Sequence, residues 1–382
     1  MFVETFEGSE VPINEYIIKV SSRCNLNCSY CYEYNKGDNT WRNMQRYIND
    51  QTVVSIANRI CEHAVKHQLQ TIFISLHGGE PLLMGAKKLR QILKILHSTL
   101  SSADFEFHFS LQTNGTLISE KIIKIFQEFR VNVGISIDGN KIHNDRFRLS
   151  HKGASTFEAT VQGMMLLQNE APNCFGGCLA VVDLQNPAIE VADSLYSMGV
   201  RNVDFLLPHH NWDDLPFRLR QDGTDYADWY LDIWWSWLNG RWPQLKIRFL
   251  ENLVSRIAGF SGIYEQMSLS PANLITINTN GEIEGVDTLK SVGNQNQITN
   301  LNVFEHSFDE VLKLQSYQSR CKPKEELCTK CRECDVNNIC VGGYLPHRYS
   351  AERKFENPSV YCADLIYLIK TVEGSILENV SK

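Results

Sequence analysis

Three cysteines near the start of the chain, Cys24, Cys28 and Cys31, are spaced C-x3-C-x2-C within Ser-Ser-Arg-Cys-Asn-Leu-Asn-Cys-Ser-Tyr-Cys-Tyr. Three thiolates from one short loop suit three corners of a cubane iron–sulfur cluster. A fourth iron would then have no protein ligand and could bind another molecule, which makes the triplet a candidate reactive centre. Zinc is one alternative, but a structural zinc site closes with a fourth Cys or His, and residues 33–41 supply neither. A disulfide framework is the other. It sits poorly with a large chain whose opening residues, Met-Phe-Val-Glu-Thr-Phe-Glu, carry no signal-peptide pattern.

The remaining cysteines point the same way. Nine of the twelve fall in two groups, residues 24–31 and 321–362, while Cys61, Cys174 and Cys178 lie apart. In a chain expected in the cytoplasm, clustered cysteines are more often metal or redox ligands than disulfides. Two metal-binding regions are therefore expected. Cys174 and Cys178 are read as packed or free thiols, and Cys61 as a buried helix residue.

Composition sets the frame. A chain of 382 residues, 43% hydrophobic and 21% charged, suits one elaborated barrel or a large domain with a smaller one. A net charge of −7 gives no chain-wide attraction to nucleic acid or anionic lipid. No apolar run reaches the roughly 18 residues of a membrane span. Neither nucleic acid nor membrane is an expected partner.

The elements that must position the triplet can be read from periodicity. Six β-rich runs, residues 16–20, 72–76, 105–111, 131–137, 179–182 and 202–207, alternate with helical patterns at 52–67, 87–100, 120–129, 155–168 and 188–198. Such alternation predicts a parallel sheet, open or closed into a barrel. Polar residues follow each strand: residues 21–24, His-Gly-Gly-Glu-Pro at 77–81, Gln-Thr-Asn-Gly at 112–115, Asp138-Gly139, Asp183, and Pro-His-His-Asn-Trp at 208–212. In a parallel barrel these loops share one face, where active sites lie. Gly78 and Gly79 leave backbone groups unshielded for a ligand's ammonium or carboxylate, and Glu80 is expected to bind an ammonium, to solvate, or simply to cap a tight βα turn. Residues 225–242 hold five of the seven tryptophans on a helical pattern ended by Asn239-Gly240. Packing between barrel and C-terminal region is their expected use, with part of the stripe available to a peptide.

These residues resemble the radical S-adenosylmethionine superfamily. Its C-x3-C-x-aromatic-C signature is met by Cys24, Cys28, Tyr30 and Cys31. Gly78, Gly79, Glu80 and Pro81 look like that family's turn, which holds the methionine ammonium. Gln112 and Asn114, with Ser136 in Ser-Ile-Asp-Gly at 136–139, match strand-end motifs lining the S-adenosylmethionine site. The resemblance implies a partial (β/α)6 barrel of TIM type within the α/β class, a [4Fe–4S] cluster and S-adenosylmethionine, which is cleaved to a 5′-deoxyadenosyl radical. An external electron donor is implied too.

The C-terminal region resembles the SPASM extension, whose pattern is C-x2-C-x5-C-x3-C and a distant cysteine. Cys331, Cys334 and Cys340 fit, Cys362 supplies the distant one, and Tyr344 stands where the next cysteine belongs. Residues 278–287, Asn-Thr-Asn-Gly-Glu-Ile-Glu-Gly-Val-Asp, look like the extension's hairpin without its cysteine. At least one auxiliary [4Fe–4S] cluster is implied, held by Cys331, Cys334, Cys340 and Cys362; the extension's other cluster is expected to be lost, and Cys321 or Cys328 could replace a ligand or complete a second, unusual site. The implied domains are 1–220 (barrel), 221–270 (Trp-rich helical bridge) and 271–382 (auxiliary cluster domain).

A narrower likeness, carried by residues 32–42, 204–212, 342–349 and 357–362, is to radical peptide maturases of the FxsB and GrrM type. These join an aromatic ring carbon to the β-carbon of a residue two positions later, forming a three-residue cyclophane in a ribosomally made precursor peptide. Such chemistry needs a base, for which Asp138, Asp183, His209 and His210 are candidates at the barrel mouth. Arg42, Arg146 and Arg148 could grip a carboxylate or a backbone carbonyl. About 15 residues precede the first strand, so precursor recognition is expected from the barrel, the extension or another protein. The rival readings are thioether or formylglycine formation, the latter disfavoured by the missing upstream cysteines, and a non-catalytic iron–sulfur electron carrier.

Overall fold

Side-chain alternation divides the sheet into a helix-covered face and an inner face. In β2 (Thr71–Gly78) Ile72, Ile74 and Leu76 are buried, whereas Phe73, Ser75 and His77 between them are more open. β3 (Glu106–Thr113) buries Phe109, Leu111 and Thr113 and leaves Ser110 and Gln112 half-buried, and β4 (Asn132–Ser136) buries Val133 and Ile135 against Gly134 and Ser136. The period of two therefore puts branched aliphatics under the helices and small polar residues on the inner face.

The computed structural model describes residues 11–221, 223–262, 265–293 and 296–380; the opening residues read above as lacking a signal lie outside them. β1 (Glu15–Ser21), β2, β3, β4, β5 (Phe175–Val181) and β6 (Asn202–Leu206) pair in parallel, in chain order. The connections are α1 (Asp50–Lys66), α2 (Gly85–Leu100), α3 (Glu120–Phe129), the short α4 (Lys141–Asn144) with α5 (Phe157–Glu170), and α6 (Ala188–Ser197). Asn49 caps α1, its Oδ1 accepting from the Thr52 N–H at 2.8 Å. The expected partial barrel is present. β5 starts at Phe175, earlier than its sequence suggests, because Gly176 and Gly177 mask the strand pattern. Gly177 has φ +125°, and a Cβ there would lie 2.4 Å from the Asn202 carbonyl oxygen of the neighbouring strand.

Beyond the six units, α7 (Asp225–Leu238) leads to a two-residue strand, β7 (Lys246–Ile247), which pairs parallel with β6 and was not anticipated. α8 (Arg248–Ile257) follows. β8 (Leu274–Ile277) then returns to pair parallel with β1, from Glu15↔Leu274 to Ile18↔Ile277, and β9 (Glu282–Glu284) and β10 (Ile298–Asn302) add antiparallel. The sheet reads β10-β9-β8-β1-β2-β3-β4-β5-β6-β7 and stays open. The C-terminal segment is thus built onto the open side of the first barrel strand. It ends with α9 (Phe308–Leu312), α10 (Gln315–Cys321), α11 (Thr329–Arg332), α12 (Asn337–Cys340) and α13 (Cys362–Val380).

The tryptophan helix packs as expected between barrel and C-terminus. On α7, Trp229 donates its indole N–H to the Asn186 carbonyl at 3.0 Å and Trp234 to Ser375 of α13 at 3.1 Å. Cys174 and Cys178 are buried, and Cys61 is half-buried with its thiol toward the Thr99 carbonyl. Among the described residues, no helix is long and apolar enough to cross a membrane.

Candidate active site and second cysteine site

The triplet loop leaves β1 and folds back on itself. The Cys31 N–H donates to the Cys28 carbonyl at 3.0 Å, the Asn35 N–H to the Cys31 carbonyl at 2.8 Å, and the Asn27 N–H to the Leu149 carbonyl at 2.8 Å. Burial pushes the Cys24 and Cys31 thiols up to about 12 and raises that of Cys28. In the free protein they are therefore protonated, and binding a cluster must release those protons.

The glycine turn after β2 lies directly on this loop. A Cβ on Gly78 would sit 2.1 Å from the Ser21 carbonyl oxygen, and one on Gly79 would sit 1.9 Å from the Tyr34 hydroxyl and 2.5 Å from the Arg23 carbonyl. Only bare backbone fits. The Tyr34 hydroxyl is buried here without a protein hydrogen-bond partner. Glu80 does not solvate but caps the turn. It is fully buried and accepts from the Thr113 hydroxyl at 2.7 Å, the Asn114 N–H at 2.8 Å and the Leu82 N–H at 3.0 Å. It braces β2 to β3. Pro81 begins the 3-10 turn behind it.

Tyr30 carries the loop to the far strands. Its hydroxyl donates to Asp138 at 2.6 Å and accepts from Arg148 at 2.8 Å, and the Val181 N–H donates to Asp138 at 3.0 Å. Arg148 is buried. Gln112 donates to Ser136 at 2.8 Å, and Asn114 donates to Asn25 at 2.9 Å. Asp183 is ion-paired with Arg146 and also accepts from the Gln185 N–H. His210 stands at the rim 3.1 Å from Asp214, which also pairs with Lys36. His209 turns inward, and burial lowers its pKa to about 4, so it is neutral.

A buried ionic chain that periodicity does not reveal closes the other side. Lys19 pairs with Glu33 and, at 3.2 Å, with Asp287; Lys290 lies 3.4 Å from Glu33 and 3.3 Å from Glu284. Tyr32 donates to Asp287 at 2.9 Å, and His77 lies 3.8 Å away. Burial opposes the charge on Asp287, but Lys19, His77 and Lys290 outweigh it and hold the carboxyl well below the usual range. Two signals were available in the sequence: a lysine inside an apolar strand, and an acid two residues after the triplet. Neither indicated its partner.

The second cysteine group also converges. Cys331 of α11, Cys334, Cys340 of α12 and Cys362 at the start of α13 line one small cavity of about 40 Å³ with Gly342 and Ser359. The chain reverses there through three left-handed residues, Val341, Gly342 and Gly343. Cys328 is buried beside Cys331 with its thiol in hydrogen-bond contact with the Cys331 thiol, and the Cys321 thiol points to the Ala272 carbonyl at 3.3 Å.

The description Radical SAM superfamily matches residues 18–182. Residues 18–182 are a radical SAM domain. It is similar to the cysteine-type anaerobic sulfatase-maturating enzyme of Clostridium perfringens, with 25% identity over 371 residues, 92% of this chain and 94% of that one. Among solved structures, native anSMEcpe with bound AdoMet and Cp18Cys peptide has a TM-score of 0.79 at 20% identity, covering 97% of this chain and 99% of that one. Streptococcus suis SuiB bound to precursor peptide SuiA has 0.58 at 16%, covering 88% and 72%. Both structures share the fold of this chain over most of its length.

The residues fit the cofactors of the radical SAM family. Three thiols, a glycine turn that admits only backbone and an unpartnered Tyr34 hydroxyl make a seat for a [4Fe–4S] cluster and S-adenosylmethionine. Four thiols around one cavity fit a second cluster.

Proposed function

We propose that this radical SAM enzyme modifies a ribosomally made precursor peptide, forming a three-residue cyclophane between an aromatic ring carbon and a β-carbon. One observation supports the reading above all: an ionised carboxylate, Asp287, sits against Tyr32, the residue after Cys31, at the mouth where the triplet lies. Forming a carbon–carbon bond from two C–H bonds removes a hydrogen atom, an electron and a proton from the peptide. When bound, the cluster and S-adenosylmethionine supply the radical that takes the hydrogen atom.

The chain's own residues do the rest. Gly78 and Gly79 seat the methionine end, with Gln112, Asn114 and Ser136 lining the inner face and Tyr30 tying the loop to Asp138. Asp287 accepts the proton, oriented by Tyr32 and Lys19. Of the four bases read from sequence, Asp138 and Asp183 are engaged in structural bonds and His210 is paired at the rim, which leaves His209 beside Tyr32. Cys331, Cys334, Cys340 and Cys362 would hold the auxiliary cluster. The division 1–220, 221–270 and 271–382 is kept as a description of these parts, in a protein acting in the cytoplasm with an external reductant.

Formylglycine formation is the second reading, favoured by likeness over nearly the whole sulfatase-maturating relative. Anaerobic reconstitution with a strong reductant and S-adenosylmethionine should yield 5′-deoxyadenosine, and its absence with loaded clusters rejects both. Coexpression with a neighbouring precursor peptide should give a loss of about two hydrogens and no reaction with a hydrazide. A hydrazide-reactive aldehyde selects formylglycine, and an unchanged mass rejects the peptide reading.

A further inference from the structure

Tyr32 follows Cys31 in the chain, and Tyr361 precedes Cys362. A row of rings joins these two residues. Ring centroids lie 5.3 Å apart for Tyr32 and His209, 6.0 Å for His209 and His347, and 4.9 Å for His347 and Tyr361. Tyr344 flanks the middle of the row, 5.9 Å from His209 and 5.4 Å from His347. It stands where the extension's pattern has a cysteine, so a ring fills a place meant for a ligand.

The half of the row toward Cys362 is dry and held in place, while Tyr32 and His209 are half-buried. Tyr344, His347 and Tyr361 are buried. The Tyr361 hydroxyl donates to the Pro208 carbonyl at 2.8 Å, next to His209, and the Val360 N–H donates to the His347 carbonyl at 2.9 Å. These bonds fix the loop after β6 against the segment that enters α13.

We infer that Tyr32, His209, His347 and Tyr361 form an electron path between the barrel mouth and the second cysteine site. The inference rests on the maturase reading for the source of the electron. The peptide radical left after hydrogen removal is oxidised by one electron as its proton passes to Asp287. The acceptor is a [4Fe–4S] cluster held by Cys331, Cys334, Cys340 and Cys362, reduced from the 2+ to the 1+ state. The rings are the tunnelling medium and are themselves neither oxidised nor deprotonated. Tunnelling weakens steeply with every empty or water-filled gap, and close-packed aromatic side chains remove such gaps.

The test needs no peptide, because coupling is the same in both directions. Holoenzyme with both clusters loaded is reduced, freed of reductant, mixed with S-adenosylmethionine and freeze-quenched for EPR. Each cleavage uses one electron at the mouth, which the auxiliary cluster replaces through the rings. In the intact protein the reduced auxiliary signal decays, and 5′-deoxyadenosine approaches about two per chain. In His347→Leu and Tyr361→Leu the signal persists and the yield stays near one, while Tyr361→Phe, which keeps the ring, behaves as the intact protein. His209→Leu, at a less buried ring, serves if the others fail to load iron. Equal decay in the leucine variants and the intact protein, or a persistent signal in the intact protein, overturns the inference. A precursor of unchanged mass would overturn the maturase reading and leave this result standing.

Discussion

The Tyr32 hydroxyl donates to the Asp287 carboxylate at 2.9 Å, joining positions 255 residues apart in the chain. One partner follows the cysteine triplet and the other belongs to the segment after β9. Their meeting puts a buried carboxylate from the C-terminal region at the mouth of the N-terminal barrel.

Asp287→Asn keeps the shape of that acceptor and removes its basicity. With a coexpressed precursor, 5′-deoxyadenosine should still form while modified peptide falls by about 10²–10⁴-fold, the usual range for losing a general base. Mass spectrometry of the peptide beside chromatography of 5′-deoxyadenosine reads the split. Equal loss of both would mean that Asp287 serves cofactor binding instead.

Gly79→Ala should abolish S-adenosylmethionine binding, because its Cβ would collide with the Tyr34 hydroxyl and the Arg23 carbonyl. Gly374→Ala is the control, since a Cβ there meets nothing within 4 Å and its backbone is outside the left-handed region. Equilibrium dialysis with the anaerobic protein distinguishes them. Normal binding by the Gly79 variant would show that the turn has room to spare.

Cys334→Ser removes one wall of the four-thiol cavity, whereas Cys321→Ser touches a thiol that faces a backbone carbonyl. The first should lower the iron count by about four per chain, one cubane cluster, and the second should leave it unchanged. Colorimetric iron analysis after reconstitution decides between them. Cys328→Ser should resemble Cys321→Ser; a loss of iron there would make Cys328 a ligand.

His63 links α1 to α9 and sets an acid sensitivity. Its Nε2 accepts from the Ile13 N–H at 2.9 Å, which leaves Nδ1 to carry the proton toward Asp309 at 2.7 Å. Burial, helped by His67, lowers its pKa to about 4. Between about pH 6.5 and 4 the unfolded chain therefore binds a proton that the folded one refuses, and stability falls as pH falls. His63→Gln should flatten the slope of unfolding free energy against pH in that window by about one proton, while His209 keeps part of it. An unchanged slope would show that His63 titrates normally.

Much of this was legible beforehand because it is local. A period of two marked the six barrel strands, a period near 3.6 marked the helices, and both cysteine groups declared themselves by spacing. The start of β5 was hidden because Gly176 and Gly177 lack side chains to carry a pattern. The cap that Glu80 makes on its own turn was one of its expected readings, but the brace to β3 was hidden because the Thr113 and Asn114 donors lie 33 and 34 residues away. His77, by contrast, was expected at a strand end and is found there, near an acid whose arrival only β8 explains.

The amino-acid sequence by itself determined the chemistry on offer: three thiols for one cluster, glycines bare enough to admit a ligand, and four further thiols near the C-terminus. The tertiary structure decided what surrounds them. Parallel pairing of β8 with β1 brings Asp287 to Lys19 and Tyr32, and packing of the Tyr361 segment under the loop after β6 completes the row of rings. Both are contacts across more than a hundred residues, set by sheet register and burial, and no local periodicity encodes them.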